Sequence, residues 1–463
     1  MGIKAAYMVP HPPLIVPAVG RGGEKDIIET TKAYERVAQE IANIAPDTII
    51  IISPHSIMYG DYFHISPGEK AHGDFSRFGA PQVSFDEQYD KEFVIILSSL
   101  MYSEDFPGGT LGEREKELDH GTMVPLYFIR KYYQGGKIIR IGLSGLNLSD
   151  HYKLGMHIKH VAEDLGRNTV IVASGDLSHK LQKHGPYGFD PAGPVYDEKI
   201  MEAAAKADFG GMLEFDSDLL DKAAECGHRS FCIMAGCFDG VAVKSEVLSH
   251  QDVTGVGYGI AIFKPGKEDE SRCFLKVMAD KIKSIEASAY VKLARASIDK
   301  FVRTGMRLNI RKELPEDLEK ELPEEAFKER AGAFVSVHKN GMLRGCIGTI
   351  ASVERCIAEE IVSNAISAVS KDPRFTPVRD DELDLLEINV DILGKPEYID
   401  GPQYLDVKRY GVIVSCGSRR GLLLPDLEGV DTVEDQIDIA MRKGGISADE
   451  DYRLQRFEVV RYK

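Results

Sequence analysis

"IKAAYMVPHPPLIVP", residues 3–17, passes from an apolar run directly into a histidine set among prolines. Its first seven residues have the length and character of a buried strand. Pro10, Pro12, Pro13 and Pro17 then stiffen the backbone on both sides of His11. A histidine fixed where a strand stops is either part of a stiff turn or a metal ligand or proton carrier. Three further runs repeat the pattern of the first: "DTIIIIS", "KIIRIGL" and "NTVIVAS" are short, apolar and rich in β-branched residues. Helical patterns such as "DIIETTKAYERVAQEIANIA" and "DHYKLGMHIKHVAEDLG" separate several of them. That alternation predicts an α/β fold with a mostly parallel, helix-covered sheet. "GVAVKSEVLS" and "GVGYGIAIF" read as closing strands joined by a short loop.

At 463 residues the chain is too long for one comfortable core and predicts two or three domains. The pattern breaks at "KPGKEDESRC", Lys264 to Cys273, a charged stretch that suits a linker, so the domains are expected at 1–267 and 286–463. In the second, "ASAYVKLARASIDKFVRTG" is an amphipathic helix stopped by Gly305, and "ELPEDLEKELPEEAFKER" an acidic surface segment. Asn340-Gly341 signals a tight hairpin. A helix from Val353 to about Ser370 and the strands "LLEINVDIL", "YGVIVSC", "RGLLLP" and "RFEVVRY", with a helix ending at "KGG", complete an α+β domain.

The net charge of -16 leaves no excess of Lys and Arg to neutralise phosphates, which argues against nucleic acid and for a small-molecule substrate. There is no secretory signal pattern and no apolar run long enough for a membrane span, which predicts a cytoplasmic protein. Seven cysteines without a C-x-x-C pair indicate neither a disulfide framework nor a structural zinc site.

Ligands of parallel sheets collect at the carboxyl ends of strands. His11 follows "AAYMVP", His55 follows "TIIIISP", and His179 follows "TVIVAS" through "GDLS". His120, in "ELDHGTMVPLYF", precedes a helix whose expected N-cap is Thr122. Taken singly, each is a common turn residue, and His64, His72, His151, His157, His160, His184, His228, His250 and His338 are read as such. For His11 and His55 together metal binding is the better reading, since two imidazoles and a third side chain leave positions open for substrate or dioxygen on iron.

"HPPL", "SPHS", "LDHGTMVPLYF" and "SGDLSHK" resemble segments of the LigB-type extradiol ring-cleaving dioxygenases and of their relatives, the Memo proteins, over most of residues 1–265. The resemblance implies non-haem Fe(II) on His11 and His55, with His179 and His120 as acid/base and hydrogen-bonding partners of the substrate. Zinc or copper is the alternative metal. A ring-cleaving site wants a carboxylate as third ligand, yet Gln251 stands where a Glu is expected, with Glu246 and Asp252 nearby. Memo-like members carry a Cys-Gly before an apolar helix, and "ECGHRSFCIMAG" matches this with Cys226, which ranks above Glu246.

"GMLRGCIGTI", "AISAVSKDPRFTPV", "LLEINVDILGKPE" and "GVIVSCGSRRGLLLPD" closely resemble the AMMECR family, over nearly all of residues 286–463. The family's activity is not established. A fusion of these halves is similar to the AmmeMemoRadiSam grouping, which implies a radical SAM partner. On the strand from Met342 to Ile350, Leu343 and Ile347 are expected to be buried on one face, with Arg344 and Cys346 on the other, where the Arg can stabilise a thiolate; a small buried Cys in a Gly-marked bulge is the equal alternative. Cys416, Arg419 and Arg420 read as a solvated hairpin. The leading expectation is a metal-dependent, extradiol-type dioxygenase acting on a small phenolic or cyclic compound. A Memo-like metal-binding adaptor and a zinc hydrolase are the alternatives.

Overall fold

Each apolar run of the first half is hydrophobic on both sides, so it must be covered on both faces, and this is met by pairing the runs as parallel neighbours between helices. In the computed structural model, which describes residues 2–284, 288–339, 342–426, 429–447 and 449–463, the runs are β1 (Gly2–Val9), β2 (Thr48–Ser53), β3 (Lys137–Gly142) and β4 (Asn168–Ser174). A hairpin of long strands, β5 (Val241–Gln251) and β6 (Tyr258–Glu268), continues the sheet antiparallel, in the order β3-β2-β4-β1-β6-β5. Val9 lies opposite Ser174 and Ile52 opposite Ala173, so three adjacent strands stop at the same level.

On one face, α1 (Ile28–Ile44) and α2 (His120–Tyr132) bury Tyr34, Val37, Ile41, Val124 and Phe128 against Tyr7, Ile49, Ile51 and Val172. The Tyr34 and Phe128 rings stack at 4.3 Å. Each such side chain contributes about 1.5–3 kcal/mol by leaving water. On the other face, α3 (Leu148–Asp164) packs on α4 (His228–Gly236). The approach is close because Gly155 and Gly236 face each other: a Cβ on Gly236 would lie 1.9 Å from the Tyr152 carbonyl oxygen. Among the described residues no helix is long and apolar enough to cross a membrane.

The chain divides into two compact units, Met1–Val277 and Met278–Lys463. The stretch expected to be a linker is instead structured. Lys264 to Glu268 extends β6, and Arg272 donates from Nε to the Val241 carbonyl at 2.9 Å and from a terminal nitrogen to the Ala207 carbonyl at 2.7 Å. A charged, exposed outer face on a strand is what made these residues look like a linker.

The second unit is an antiparallel sheet of β7 (Ala333–Lys339), β8 (Met342–Gly348), β9 (Leu386–Leu393), β10 (Tyr410–Cys416), β11 (Arg419–Leu423) and β12 (Arg453–Tyr462), in the order β8-β7-β9-β12-β10-β11. The short strand Glu397–Ile399 pairs with β12. Helices α5 (Ala289–Thr304) and α6 (Ile357–Ser370) cover Val335, Val337, Ile388 and Val390, while α7 (Val433–Gly444) covers Val412 and Val414. Gly305 ends α5 at φ 71°. Lys339 pairs with Met342, and the expected turn residues Asn340 and Gly341 lie outside the described residues. Helix α6 starts later than expected because the buried Glu360 carboxylate accepts the N–H groups of Val353 and Glu354 at 2.8 Å, holding them as a loop.

Candidate metal centre

The level ends of β1, β2 and β4 decide what can meet. His11, His55 and Asp176 each stand two residues beyond one of three neighbouring strands. His11 is 2% exposed. Its backbone is fixed from two sides: the Tyr34 hydroxyl donates to the Pro10 carbonyl, and the His11 N–H donates to Asp176 Oδ1 at 2.8 Å.

The hydrogen bonds also choose the His11 tautomer. Ser174 Oγ donates its one proton to the Gly121 carbonyl at 2.6 Å. Towards His11 Nδ1, 3.0 Å away, Ser174 can then only accept, so Nδ1 carries the proton and Nε2 keeps its lone pair. That Nε2 faces His55 Nε2 at 2.9 Å and the Cys226 sulfur at 3.6 Å. Burial first, then the neighbouring His55, holds His11 well below the usual imidazole range, and burial lowers His55 too, so both are neutral at pH 7.

Cys226 arrives from just before α4. Its approach depends on two glycines, because a Cβ on Gly175 would lie 2.1 Å from the Gly227 Cα. With these backbones in contact, the Asp176 N–H donates to the Cys226 sulfur at 3.3 Å. Burial, with the charges of Asp176 and Glu225, pushes the thiol well above its ordinary pKa. A desolvated thiol with no cation beside it therefore stays protonated.

Donor atoms of His11, His55 and Cys226 lie within 4.8 Å of one another, as do those of Asp176, His179 and Cys226. His179 Nδ1 is buried without a hydrogen-bond partner. Neutral imidazoles, a thiol and an unpartnered buried nitrogen fit a borderline or soft cation such as Fe(II), Zn(II) or Cu better than a hard one.

His120 is the first residue of α2, its ring 3.9 Å from that of His55. The N-cap is Asp119, not Thr122: its carboxylate accepts the Thr122 N–H and hydroxyl at 3.0 Å each. The sequence permits either residue, and Asp119 wins because its side chain reaches back over the first turn. Burial, then His55 and His11, lowers His120 to about 3. A cavity of about 630 Å³ opens beside His55 and His120, walled by Phe78 and Met123 and rimmed by Arg77 and Lys116. Phe78 stands edge-on to His120 at 5.4 Å, and Tyr187 edge-on to His179 at 5.0 Å.

Glu246 is not part of this cluster. It lies on β5 with its side chain half exposed and its carboxylate held by Arg36 at 2.7 and 2.8 Å, which corrects its place among the candidate ligands. Gln251 accepts from the Thr30 N–H and hydroxyl at 2.8 Å, in the first turn of α1. Asp176 and Ser174 fall within "SGDLSHK", of which the sequence marks only His179 as a site residue. The signal for Asp176 was the two-residue offset that it shares with His11 and His55.

In the second unit, a bulge between Val337 and His338 shifts the register of β8. Leu343 is consequently 37% exposed, and Arg344 reaches Glu382 at 2.9 Å instead of Cys346. Cys346 accepts from the Ser336 hydroxyl at 3.1 Å, and its N–H donates to Asp372 at 2.9 Å. Arg419, across the turn from Cys416, pairs with Glu450.

Residues 5–261 match the family model described as the catalytic LigB subunit of aromatic ring-opening dioxygenase, and residues 291–463 match AMMECR1. A protein of Clostridium acetobutylicum is 42% identical over 100% of both chains. A Thermotoga maritima protein is 51% identical over 176 residues, 38% of this chain and 97% of its own. The crystal structure of an uncharacterized Pyrococcus horikoshii protein is 30% identical and covers 38% of this chain and 89% of its own, with a TM-score of 0.34.

Proposed function

Because the chain belongs to the LigB family through residues 5–261 and carries an AMMECR1 domain at 291–463, we propose that it is a metal-dependent oxidoreductase working at the His11, His55 and Cys226 cluster. The observation that carries this reading is the convergence of two neutral imidazole nitrogens and a half-buried thiol at the ends of parallel strands. Iron(II) held there would supply Lewis acidity and a path for electrons from the ring being opened, which is the reductant, to dioxygen.

The protein's own contribution is to bind and orient. The cavity beside His55 and His120 admits a small molecule, and the Phe78 ring in its wall, edge-on to His120, favours a flat phenolic or cyclic one. His120, which burial and then His55 and His11 keep neutral at pH 7, donates a hydrogen bond that stabilises negative charge developing on the substrate. His179, beside Asp176 and Cys226, is the proton carrier.

Iron content of anaerobically purified protein, with oxygen uptake over a catechol panel, tests this. About one iron per chain and oxygen consumption are expected. Metal without uptake would defeat the oxygenase reading. It would favour the second one, a Memo-like metal-holding protein that works with a radical SAM partner, for which Cys226 in place of a carboxylate is the supporting observation. Stoichiometric zinc with ester or amide hydrolysis would instead point to water activation by the same histidines.

A further inference from the structure

A proline inside a helix removes a hydrogen bond and crowds the carbonyl four residues earlier. Helix α2 nevertheless keeps Pro125 within the buried run Gly121 to Leu126. Where a sequence breaks a local rule at such a place, the reason is to be sought in function. Four residues before Pro125 is Gly121, and its carbonyl is the one that accepts the Ser174 hydroxyl proton at 2.6 Å.

We infer that Pro125 is a positioning residue of the metal centre: having no N–H to give Gly121, it leaves that carbonyl to Ser174, and so decides which nitrogen of His11 carries the proton. The chain of contacts is short. Pro125 frees the Gly121 oxygen, Ser174 donates to it, and Ser174 therefore accepts from His11 Nδ1–H at 3.0 Å. The lone pair of His11 Nε2 is thereby turned towards His55 and Cys226, 2.9 and 3.6 Å away. Gly121 suits the relay because a Cβ there would lie 2.4 Å from Ser53 Oγ. An alanine at 125 would place an N–H on the Gly121 carbonyl. Ser174 could then turn its proton to His11 Nδ1, and the competing tautomer would put a hydrogen where the ion has to sit. The inference rests on reading the cluster as a metal centre, but the tautomer can be measured without any metal.

The test uses the full chain stripped of metal and labelled with nitrogen-15 histidine. The wild type is expected to show His11 as the single Nδ1–H tautomer, and Pro125→Ala a mixture with the Nε2–H form. Zinc(II) titrated against a chromophoric chelator should bind Pro125→Ala about tenfold more weakly, the lower end of the range for losing an outer partner of a ligand. The same variant should melt higher, which separates lost affinity from lost fold. In a Ser174→Ala background Pro125→Ala should have no further effect, since both act through one hydroxyl. An unchanged tautomer with zinc affinity within twofold of wild type would overturn the proposal, as would an equal loss in the Ser174→Ala background. A wild type that holds the Nδ1–H form but binds no zinc would overturn the metal reading and leave the relay standing.

Discussion

Cys226 determines how the centre responds to pH. Its thiol, raised by burial and by Asp176 and Glu225, must release its proton when a cation binds. His11 and His55 are lowered from 6.5, so they stay neutral above that and release nothing. Apparent zinc affinity should therefore rise about tenfold per pH unit between roughly pH 7 and pH 8, one proton per ion, and Cys226→Ser should flatten the slope. A wild-type slope near zero in chelator competition would contradict a thiolate ligand. His11→Ala or His55→Ala should cost at least about 100-fold in affinity, with little change in melting temperature for the more exposed His55 and a lower one for the buried His11, whose ring bonds Ser174. Metal retained in the double variant would remove them as ligands.

Contacts between elements set the tolerances of the site. The loop after β4 touches the approach to α4 through Gly175 and Gly227, so Gly175→Ala must push Asp176 away from Cys226. Overpacking of this kind costs about 1–3 kcal/mol, and metal should be lost with it. Calorimetry and metal analysis on one preparation check both. In the second unit, Glu382 ties β8 to the segment Asp380–Leu385. Burial pushes its carboxyl up, but hydrogen bonds from Arg344 and the charges of Lys339 and Arg344 outweigh this and hold it at about 2. A depressed carboxylate contributes its stability above the unfolded value of 4.5 and loses it as pH falls towards 2. The melting temperature of this unit should fall across that window, and Glu382→Gln should lower it at pH 7 while shrinking the acid dependence. An unchanged acid profile in the variant would show that other carboxylates dominate.

For the whole molecule, residues 1–277 and 288–463 expressed separately should each melt cooperatively, since each has its own core. A fragment cut at 267 should be weaker. It loses Arg272, whose two hydrogen bonds to carbonyls are each worth about 1.5–3 kcal/mol, so its melting temperature should drop by about 5 °C or more below that of 1–277. Equal melting would mean that the tail after β6 contributes nothing. Much of this architecture is legible in the chain. The four apolar runs became β1 to β4, and the "NTVIVAS" run proved to be the middle strand between two that precede it in sequence.

What the sequence by itself determined is local. Hydrophobic runs specified strands, and prolines and glycines marked their ends, because both act on a few consecutive residues through backbone sterics and burial. The positions of His11 and His55 just past two such runs therefore needed no structure. Which residues join them did. Glu246 and Cys226 are both plausible third ligands along the chain, yet sheet pairing puts Glu246 on an outer strand, where Arg36 of α1 holds it, and Cys226 comes within 3.6 Å of His11. The register of β8, the Asp119 cap and the link from Pro125 through Ser174 to His11 were likewise decided in three dimensions. Hydrogen bonds reach only about 3 Å, and which groups come that close is set by strand order and helix packing, not by spacing along the sequence.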